Sequence, residues 1–112
     1  MKGNNKCIWV LVNCNSKGEA LEIGNGLLNK RLIACFDIFN REISRYFWPP
    51  KSNHIEEAGG CLLVTSGFEK SYDKIIIEIE KLHSDKVPFI GFIEINGLTK
   101  DYFNWMKEEI KK

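Results

Sequence analysis

Cys35 and His83 are the residues whose side chains could together bind a metal ion. A thiolate and a neutral imidazole are ligands that suit a soft or borderline cation such as copper or zinc. The spacing along the chain does not establish that the two side chains meet. The alternative for His83 is structural, because an imidazole at the end of a helix can cap its last carbonyl groups. We therefore treat His83 and Cys35 as candidate metal ligands.

The four cysteines lie in apolar stretches, and none belongs to a Cys-x-x-Cys pair. They are Cys7, Cys14, Cys35 and Cys61. This usage predicts reduced thiols in a cytoplasmic protein. The alternative is that they act only as small buried apolar residues, as free cysteines commonly do.

Other polar and aromatic residues offer weaker chemistry. Glu56 and Glu57 are adjacent on a predicted strand, so they point to opposite faces and cannot act as an acid and base pair on one bond. Tyr46, Trp48 and Trp105 could line a pocket for a planar ligand. Aromatic residues at strand ends and on amphipathic helices are more often core or interface anchors.

No nucleophile or nucleotide-binding motif occurs in the sequence. Cys35 with His83 could in principle form a thiol nucleophile and its base, but no third orienting residue can be named. We therefore expect a protein that is not an enzyme.

The longest strand pattern runs from Arg31 to Trp48, with a bend predicted near Asn40 and Arg41. A strand of this length exceeds the usual five or six residues, so its edges need a partner beyond its own small sheet. Self-association is the expected consequence. The alternation places Leu32, Ala34, Phe36 and Ile38 on one face, and Ile33, Cys35, Asp37 and Phe39 on the other.

The remaining elements follow from hydrophobic periodicity and from capping residues. Pro49 to Asn53 must form a turn, which makes the second and third strands a long hairpin. The predicted elements are a strand at Cys7 to Cys14, a helix capped by Ser16 and ending near Lys30, a strand at Ile55 to Thr65, a helix capped by Ser66 with Glu69 and continuing through Leu82, a strand at Phe89 to Ile95, and a helix at Lys100 to Ile110 capped by Thr99.

This order predicts an α+β fold, a ferredoxin-like βαββαβ antiparallel sheet with two helices on one face, in a single domain spanning residues 1–112. The hairpin of the second and third strands is extended, and the C-terminal helix is an addition to the fold. Its apolar stripe must be buried on its own sheet or across a subunit boundary. Tyr102, Trp105 and Met106 are suited to the centre of a subunit interface.

Charge and hydropathy exclude several classes of partner. Lys and Arg number 16 against 15 Asp and Glu, a net charge of +1, and the two signs are interspersed. Such a chain lacks the basic field that nucleic acid or anionic lipid requires. The apolar run from Cys7 to Val12 is too short for a membrane span or a signal peptide core.

Several blocks in the same order resemble the CutA divalent-cation tolerance proteins. RLIACFDI at Arg31 to Ile38 is similar to the family's R-L-A-A-C-V-N-I segment. The other matching blocks are Tyr46 with Trp48, Ile55 to Glu57, His83 with Val87 and Pro88, and Asp101 and Tyr102 with Trp105. The resemblance covers Trp9 to Lys107.

The resemblance implies a ferredoxin-like protomer in a homotrimer whose hairpin strands pair across subunit edges. It also implies a non-enzymatic role in tolerance to, or binding of, copper or another divalent cation, and in animal relatives an association with anchoring acetylcholinesterase. The alternative is a small-molecule-sensing signalling module with ligand clefts between the subunits of a trimer.

The sequence departs from the family pattern at positions that could bear on a ligand. Thr65 stands where the family usually has lysine, and Ser84, Asp85 and Phe89 replace other residues in and after the His83 block. The family's first-strand cysteine corresponds to Val12, although Cys14 lies two residues further on the same strand face. Any ion or ligand held there in relatives is expected to differ here or to be missing.

Overall fold

The computed structural model describes residues 5–110. The strands are β1 (Cys7–Cys14), β2 (Ile33–Phe47), β3 (Ile55–Phe68) and β4 (Ile90–Glu94), and the helices are α1 (Lys17–Asn29), α2 (Tyr72–Leu82) and α3 (Lys100–Glu109). The predicted order of elements is confirmed, and β4 is one residue shorter at each end than predicted. In this described range, no helix combines the length and the hydropathy needed to cross a membrane.

The four strands form one antiparallel sheet in the order β2-β3-β1-β4, which confirms the predicted ferredoxin-like α+β fold. Side chains of β1 alternate between its two faces. Ile8, Val10 and Val12 pack in the main core with residues of α1 and α2, whereas Cys7 packs with residues of α3. The helices α1 and α2 therefore cover one face of the sheet, and α3 covers part of the other.

The C-terminal helix buries its apolar stripe on its own sheet. Met106 is 0% exposed and Ile110 is 9% exposed, and both pack against Cys7 and Phe68. The prediction that placed Met106 at a subunit interface is therefore wrong, because this side chain fills a second core within the chain. Trp105 is 41% exposed and remains on the outer surface of α3.

A first bulge in β2 changes the faces on which its side chains lie. Ile33 pairs with Gly67 and Cys35 pairs with Ser66, so one extra residue lies in β2 at this point. Ile33 consequently packs in the main core together with Phe36. The predicted placement of Ile33 and Cys35 on one face is wrong, because regular alternation does not hold across the bulge.

A second bulge in β2 confirms the bend predicted near Arg41. Arg41 pairs with Gly60, and Ser44 pairs with Ala58. An advance of three residues along β2 is therefore opposite an advance of two residues along β3, which is a bulge. Gly60 has a φ of 151°, and a Cβ atom there would lie 2.2 Å from the Cys14 carbonyl oxygen. Only glycine allows the strands to approach this closely.

The strand β3 continues beyond its predicted end, through Ser66. Ser66 pairs with Trp9 of β1 and with Cys35 of β2, so its backbone belongs to two strand ladders. The prediction that Ser66 caps the second helix is therefore wrong. The helix instead begins at Tyr72, after a short 3-10 turn at Glu69–Ser71.

The hairpin of β2 and β3 projects beyond the rest of the chain. The partner of Cys61 in β1 is the last residue of that strand, so among the described residues β3 before Cys61 pairs with β2 only. The chain measures 46 × 25 × 23 Å, and its radius of gyration of 15.1 Å exceeds the roughly 13 Å expected for a compact chain of this length. We call residues 41–60, which extend beyond the end of β1, the distal hairpin, and it exposes Ile43, Phe47 and Ile55.

Candidate metal centre

Three potential metal ligands meet where β1 ends, α1 begins and α2 ends. They are the Cys14 thiol, the Glu19 carboxylate and the His83 imidazole, whose ligand atoms all lie within 4.8 Å of one another. The Cys14 and His83 side chains are fully buried, and that of Glu19 is 10% exposed. We call this group the β1–α1 cluster.

The start of α1 positions Glu19 in this cluster. The Ser16 hydroxyl accepts a hydrogen bond from the Glu19 amide at 3.1 Å, which confirms Ser16 as the N-cap of α1. The Glu19 carboxylate accepts from the backbone amide of Asn15 at 2.8 Å, one residue before the amide that a capping box would use. The carboxylate is therefore held over the end of β1.

The His83 ring is fixed by two backbone groups. A carbonyl oxygen only accepts hydrogen bonds, so His83 Nε2 donates to the Asn13 carbonyl, at 2.7 Å. The other ring nitrogen, Nδ1, accepts from the Asp85 amide at 3.0 Å and lies 3.9 Å from a Glu19 carboxylate oxygen. These contacts specify a neutral ring with its proton on Nε2. The imidazole does not cap α2, because it turns away to β1.

Ser84 and Asp85 hold the segment after α2 against the β1–α1 loop. The Ser84 amide donates to the Glu19 carboxylate at 2.8 Å. The Asn15 side-chain amide donates to the Ser84 hydroxyl at 3.0 Å and to the Asp85 carboxylate at 2.8 Å. The residues that depart from the family's His block therefore close the cluster and keep its histidine in place.

The electrostatics of the cluster differ between its thiol and its carboxylate. Burial raises the pKa of the Cys14 thiol to about 12, and the negative charge of Glu19 adds to the rise. Burial also opposes ionisation of Glu19, but hydrogen bonds from Asn15 and Ser84 outweigh it and lower the pKa of this carboxyl. At neutral pH the carboxylate is charged and the thiol keeps its proton.

The ligand atoms of the cluster suit a borderline metal ion. Sulfur, nitrogen and carboxylate oxygen around one tetrahedral cation lie roughly 3.5 Å apart, so the three groups need to move by only about 1 Å. The bond from His83 Nε2 to a backbone carbonyl is the usual support for a histidine that binds metal through its other nitrogen. Binding would release the Cys14 proton and displace the Asp85 amide from Nδ1, and both changes lower the affinity.

The structure does not bring Cys35 and His83 together. Cys35 lies on the α3 side of the sheet, where its sulfur is 3.3 Å from the Tyr102 hydroxyl. Its strand partner Ser66 is opposite Trp9, four residues or about 13 Å along β1 from the Asn13 carbonyl that His83 contacts. Within one chain, Cys35 and His83 cannot bind the same ion.

The thiol of Cys35 belongs to a separate polar contact beneath α3. The hydrogen bond between Cys35 and Tyr102 is the main cause, and burial the second, of a rise in the pKa of the Tyr102 hydroxyl to about 12. Tyr102 is half-buried and stacks edge to face with Trp105, at 5.2 Å between ring centroids. These residues anchor α3 to the sheet, and Trp105 is not part of a cleft with the other predicted aromatic residues.

The remaining candidate residues lie on the hairpin. Glu56 contacts His54 at 3.2 Å, and Glu57 forms an ion pair with Arg45 at 2.8 Å, and about half of each glutamate side chain is exposed to solvent. Tyr46 and Trp48 line a cleft between the hairpin and the segment after His83.

Thr65 and Phe89 occupy different environments. Thr65 is fully buried in the sheet, and its hydroxyl has no hydrogen-bond partner in the part of the chain described. Phe89 is exposed and lines the same cleft as Tyr46 and Trp48.

The sequence pattern around Glu19 predicts only a capping residue and does not indicate a possible metal ligand. The Ser16-x-x-Glu19 spacing does place a carboxylate in the first turn after β1. Its proximity to His83 depends on a contact between residues 64 positions apart, and no local pattern reports such a contact.

Comparisons with known proteins identify similar chains across nearly the whole length. The family model described as CutA1 divalent ion tolerance protein matches residues 8–109. The divalent-cation tolerance protein CutA of Thermotoga maritima is 35% identical over 92 residues, covering 82% of this chain and 87% of that protein. CutA of Pyrococcus horikoshii is 33% identical over 94 residues, covering 84% and 88%.

Solved structures agree with the fold. The structure described as the periplasmic divalent cation tolerance protein CutA from Archaeoglobus fulgidus superposes with a TM-score of 0.87 at 26% identity. The superposition covers 94% of this chain and 99% of that chain. CutA1 from Oryza sativa, at 21% identity and a TM-score of 0.88, has the same fold over 96% of this chain and 95% of its own.

Proposed function

The chain belongs to the CutA1 divalent ion tolerance protein family, and on that premise we propose that it binds a divalent cation through the β1–α1 cluster, without catalysing a reaction. The observation that carries this proposal is the convergence of Cys14, Glu19 and His83, with all three ligand atoms within 4.8 Å. Copper or zinc is the cation expected from a thiol, an imidazole and a carboxylate.

The proposed binding is weak and depends on pH. The cluster is closed by the bonds of Ser84 and Asp85, so a metal ion must displace existing hydrogen bonds. The thiol proton of Cys14 must also leave, because its pKa is raised to about 12. A metal ion competes with protons for the thiolate and the neutral imidazole, so affinity is expected to fall as the pH is lowered.

Calorimetric titration of the purified protein with zinc chloride and then with copper chloride tests the proposal. Zinc is used first because it does not oxidise thiols. His83→Ala and Cys14→Ser are expected to abolish binding, whereas Cys35→Ser is the matched control that removes a thiol outside the cluster. Tight binding that survives His83→Ala, or binding lost in Cys35→Ser alone, would contradict the assignment.

We also propose that the protein is a homotrimer, as the family resemblance implies. The support from this chain is the distal hairpin, which has no third strand from residues 5–110 and exposes Ile43, Phe47 and Ile55 at 58%, 70% and 58%. A two-stranded ribbon is marginally stable in water, and an apolar one needs a partner along its edges.

Sedimentation equilibrium at micromolar concentration is expected to report about three times the chain mass of 12.9 kDa. Because folding and assembly would be coupled, the melting temperature should rise with protein concentration. A well-folded monomer at that concentration would refute the trimer.

The non-enzymatic role and the cytoplasmic location are parts of the same proposal. Cys35 does not meet His83, and the Cys14 thiol that lies near His83 keeps its proton because burial raises its pKa to about 12; both observations support the first. Four cysteines without a disulfide pattern support the second. Since the Archaeoglobus fulgidus structure is described as periplasmic, cell fractionation is the measurement that tests the location.

A further inference from the structure

A cleft of about 480 Å³ lies between the distal half of β2 and the segment that follows α2. Its volume falls in the range of small-molecule sites. The three residues of the β1–α1 cluster do not line it, so it is a separate site. Asn15, Ser84 and Asp85 form part of its wall and are the same residues that close the cluster.

The walls of this cleft present flat aromatic side chains. Tyr46, Trp48 and Phe89 line it and remain 44%, 43% and 54% exposed. The second bulge in β2 makes this possible, because it puts Arg41 on the same side of the strand as Ser44, Tyr46 and Trp48. Two or three aromatic faces around one space suit a planar ligand.

Arg41 brings a positive charge to this cleft without a negative partner. One of its terminal nitrogens, Nη2, donates to the Cys14 carbonyl at 3.2 Å. Its Nε atom is shielded from solvent and has no hydrogen-bond partner, and no ion pair involves Arg41, within residues 5–110. Gly60 leaves room for the guanidinium, since a Cβ there would lie 2.8 Å from Nη2. A partly desolvated cation with free donors is costly unless an anion pairs with it.

The other charged groups of the cleft limit the anion that it can take. Lys86 adds a second positive charge, and Asp85 adds a negative one whose Oδ1 accepts from Asn15. The combined charge of Arg41, Lys86 and Asp85 favours a ligand with a single negative charge, because a dianion such as phosphate would be repelled by Asp85. A guanidinium also matches a carboxylate in shape, through two parallel hydrogen bonds.

We propose that this cleft binds a small planar molecule that carries one carboxylate. The carboxylate pairs with Arg41, and the ring lies against Trp48, Tyr46 and Phe89. This site goes beyond the proposed metal function and does not rest on it, since Arg41 and the aromatic residues are not ligands of the β1–α1 cluster.

The first test uses benzoate as the probe and benzamide as its neutral counterpart of the same shape. The protein is titrated while the indole N–H signals of its three tryptophans are followed by NMR. We expect saturable benzoate-dependent shifts at Trp48, assigned with Trp48→Phe, while Trp105 does not move. Benzamide should bind at least about tenfold more weakly, because it cannot form the charge-assisted hydrogen bonds. Equal affinity for the two probes would overturn the proposal.

The second test assigns the charge to Arg41. Arg41→Gln is expected to weaken benzoate binding by about tenfold or more, and Lys86→Gln by a smaller factor. The matched control is Arg45→Gln, which removes an exposed arginine of the same strand that pairs with Glu57 outside the cleft, and it should leave binding unchanged. Equal losses in Arg41→Gln and Arg45→Gln would indicate a non-specific charge effect and overturn the proposal.

The proposal remains testable if a variant fails, and the structure of the assembled protein tests it independently. If Arg41→Gln does not fold, the comparison of benzoate with benzamide on the unaltered chain stands by itself. A crystal structure of the assembled protein in which an acidic residue of a second copy pairs with Arg41 and fills the cleft would also overturn the proposal.

Discussion

Replacing Glu19 by glutamine is expected to destabilise the protein by about 2 kcal/mol at pH 7. The carboxylate accepts hydrogen bonds from the Asn15 and Ser84 amides, both at 2.8 Å. Glutamine keeps one acceptor oxygen and places its NH₂ group against the other donor. The loss of a charge-assisted hydrogen bond together with an unsatisfied amide accounts for the magnitude. For a chain of 112 residues this corresponds to a fall in melting temperature of roughly 8 °C.

The destabilisation should depend on pH with a defined sign. The pKa of Glu19 is lowered in the folded chain, since the hydrogen bonds from Asn15 and Ser84 outweigh the opposing effect of burial. Its stabilising contribution is therefore present above the unfolded pKa, about 4.3, and is lost as pH falls through the lower folded pKa. The difference between the parent chain and Glu19→Gln should narrow below about pH 4.

Urea unfolding at fixed protein concentration, at pH 7 and at pH 3, measures this difference. The matched control is Glu22→Gln on the exposed face of the same helix, which should change the free energy of unfolding by less than about 0.5 kcal/mol. A Glu19→Gln variant as stable as the parent at pH 7 would refute the reasoning. A gap of equal size at both pH values would show that the carboxylate charge is not its cause.

Two further predictions concern buried groups. Thr65→Val should raise the free energy of unfolding, measured by urea titration, by about 1 kcal/mol, because it removes a buried hydroxyl that has no partner among the described residues. Thr65→Ser, which keeps the hydroxyl, should lower the free energy of unfolding. A large loss of stability in Thr65→Val would show that this hydroxyl is hydrogen-bonded in the assembled protein. All four cysteines should be alkylated in denaturant without reductant, as read by mass spectrometry, and two missing alkyl groups would contradict the reduced state.

Local signals in the sequence were sufficient for most of the elements. The bounds of β1 agree with the prediction, and Ser16 and Thr99 cap α1 and α3 as expected, since a capping residue and the periodicity that follows it are read within a few positions. The ferredoxin-like order of strands also follows from the sequence of elements, because few topologies are compatible with βαββαβ.

Ser66 shows where local reading fails. Its spacing from Glu69 is that of a capping box, but strand pairing with Trp9 and Cys35 takes its backbone instead. The bulges in β2 belong to the same class, because they depend on the register with β3 and on the space that Gly60 provides. Pairing across strands overrides a four-residue pattern when both compete for one backbone.

The candidate site depended most on the tertiary structure. Residue type alone indicates His83 as a metal ligand, and the prediction from the sequence joins it with Cys35, but the sheet places that cysteine beneath α3. The groups that do surround His83 are Cys14 and Glu19, which reach it only because the strand β1 and the two helices pack side by side. Residue types are encoded locally, whereas the distances between ligands 64 or more positions apart are decided by packing.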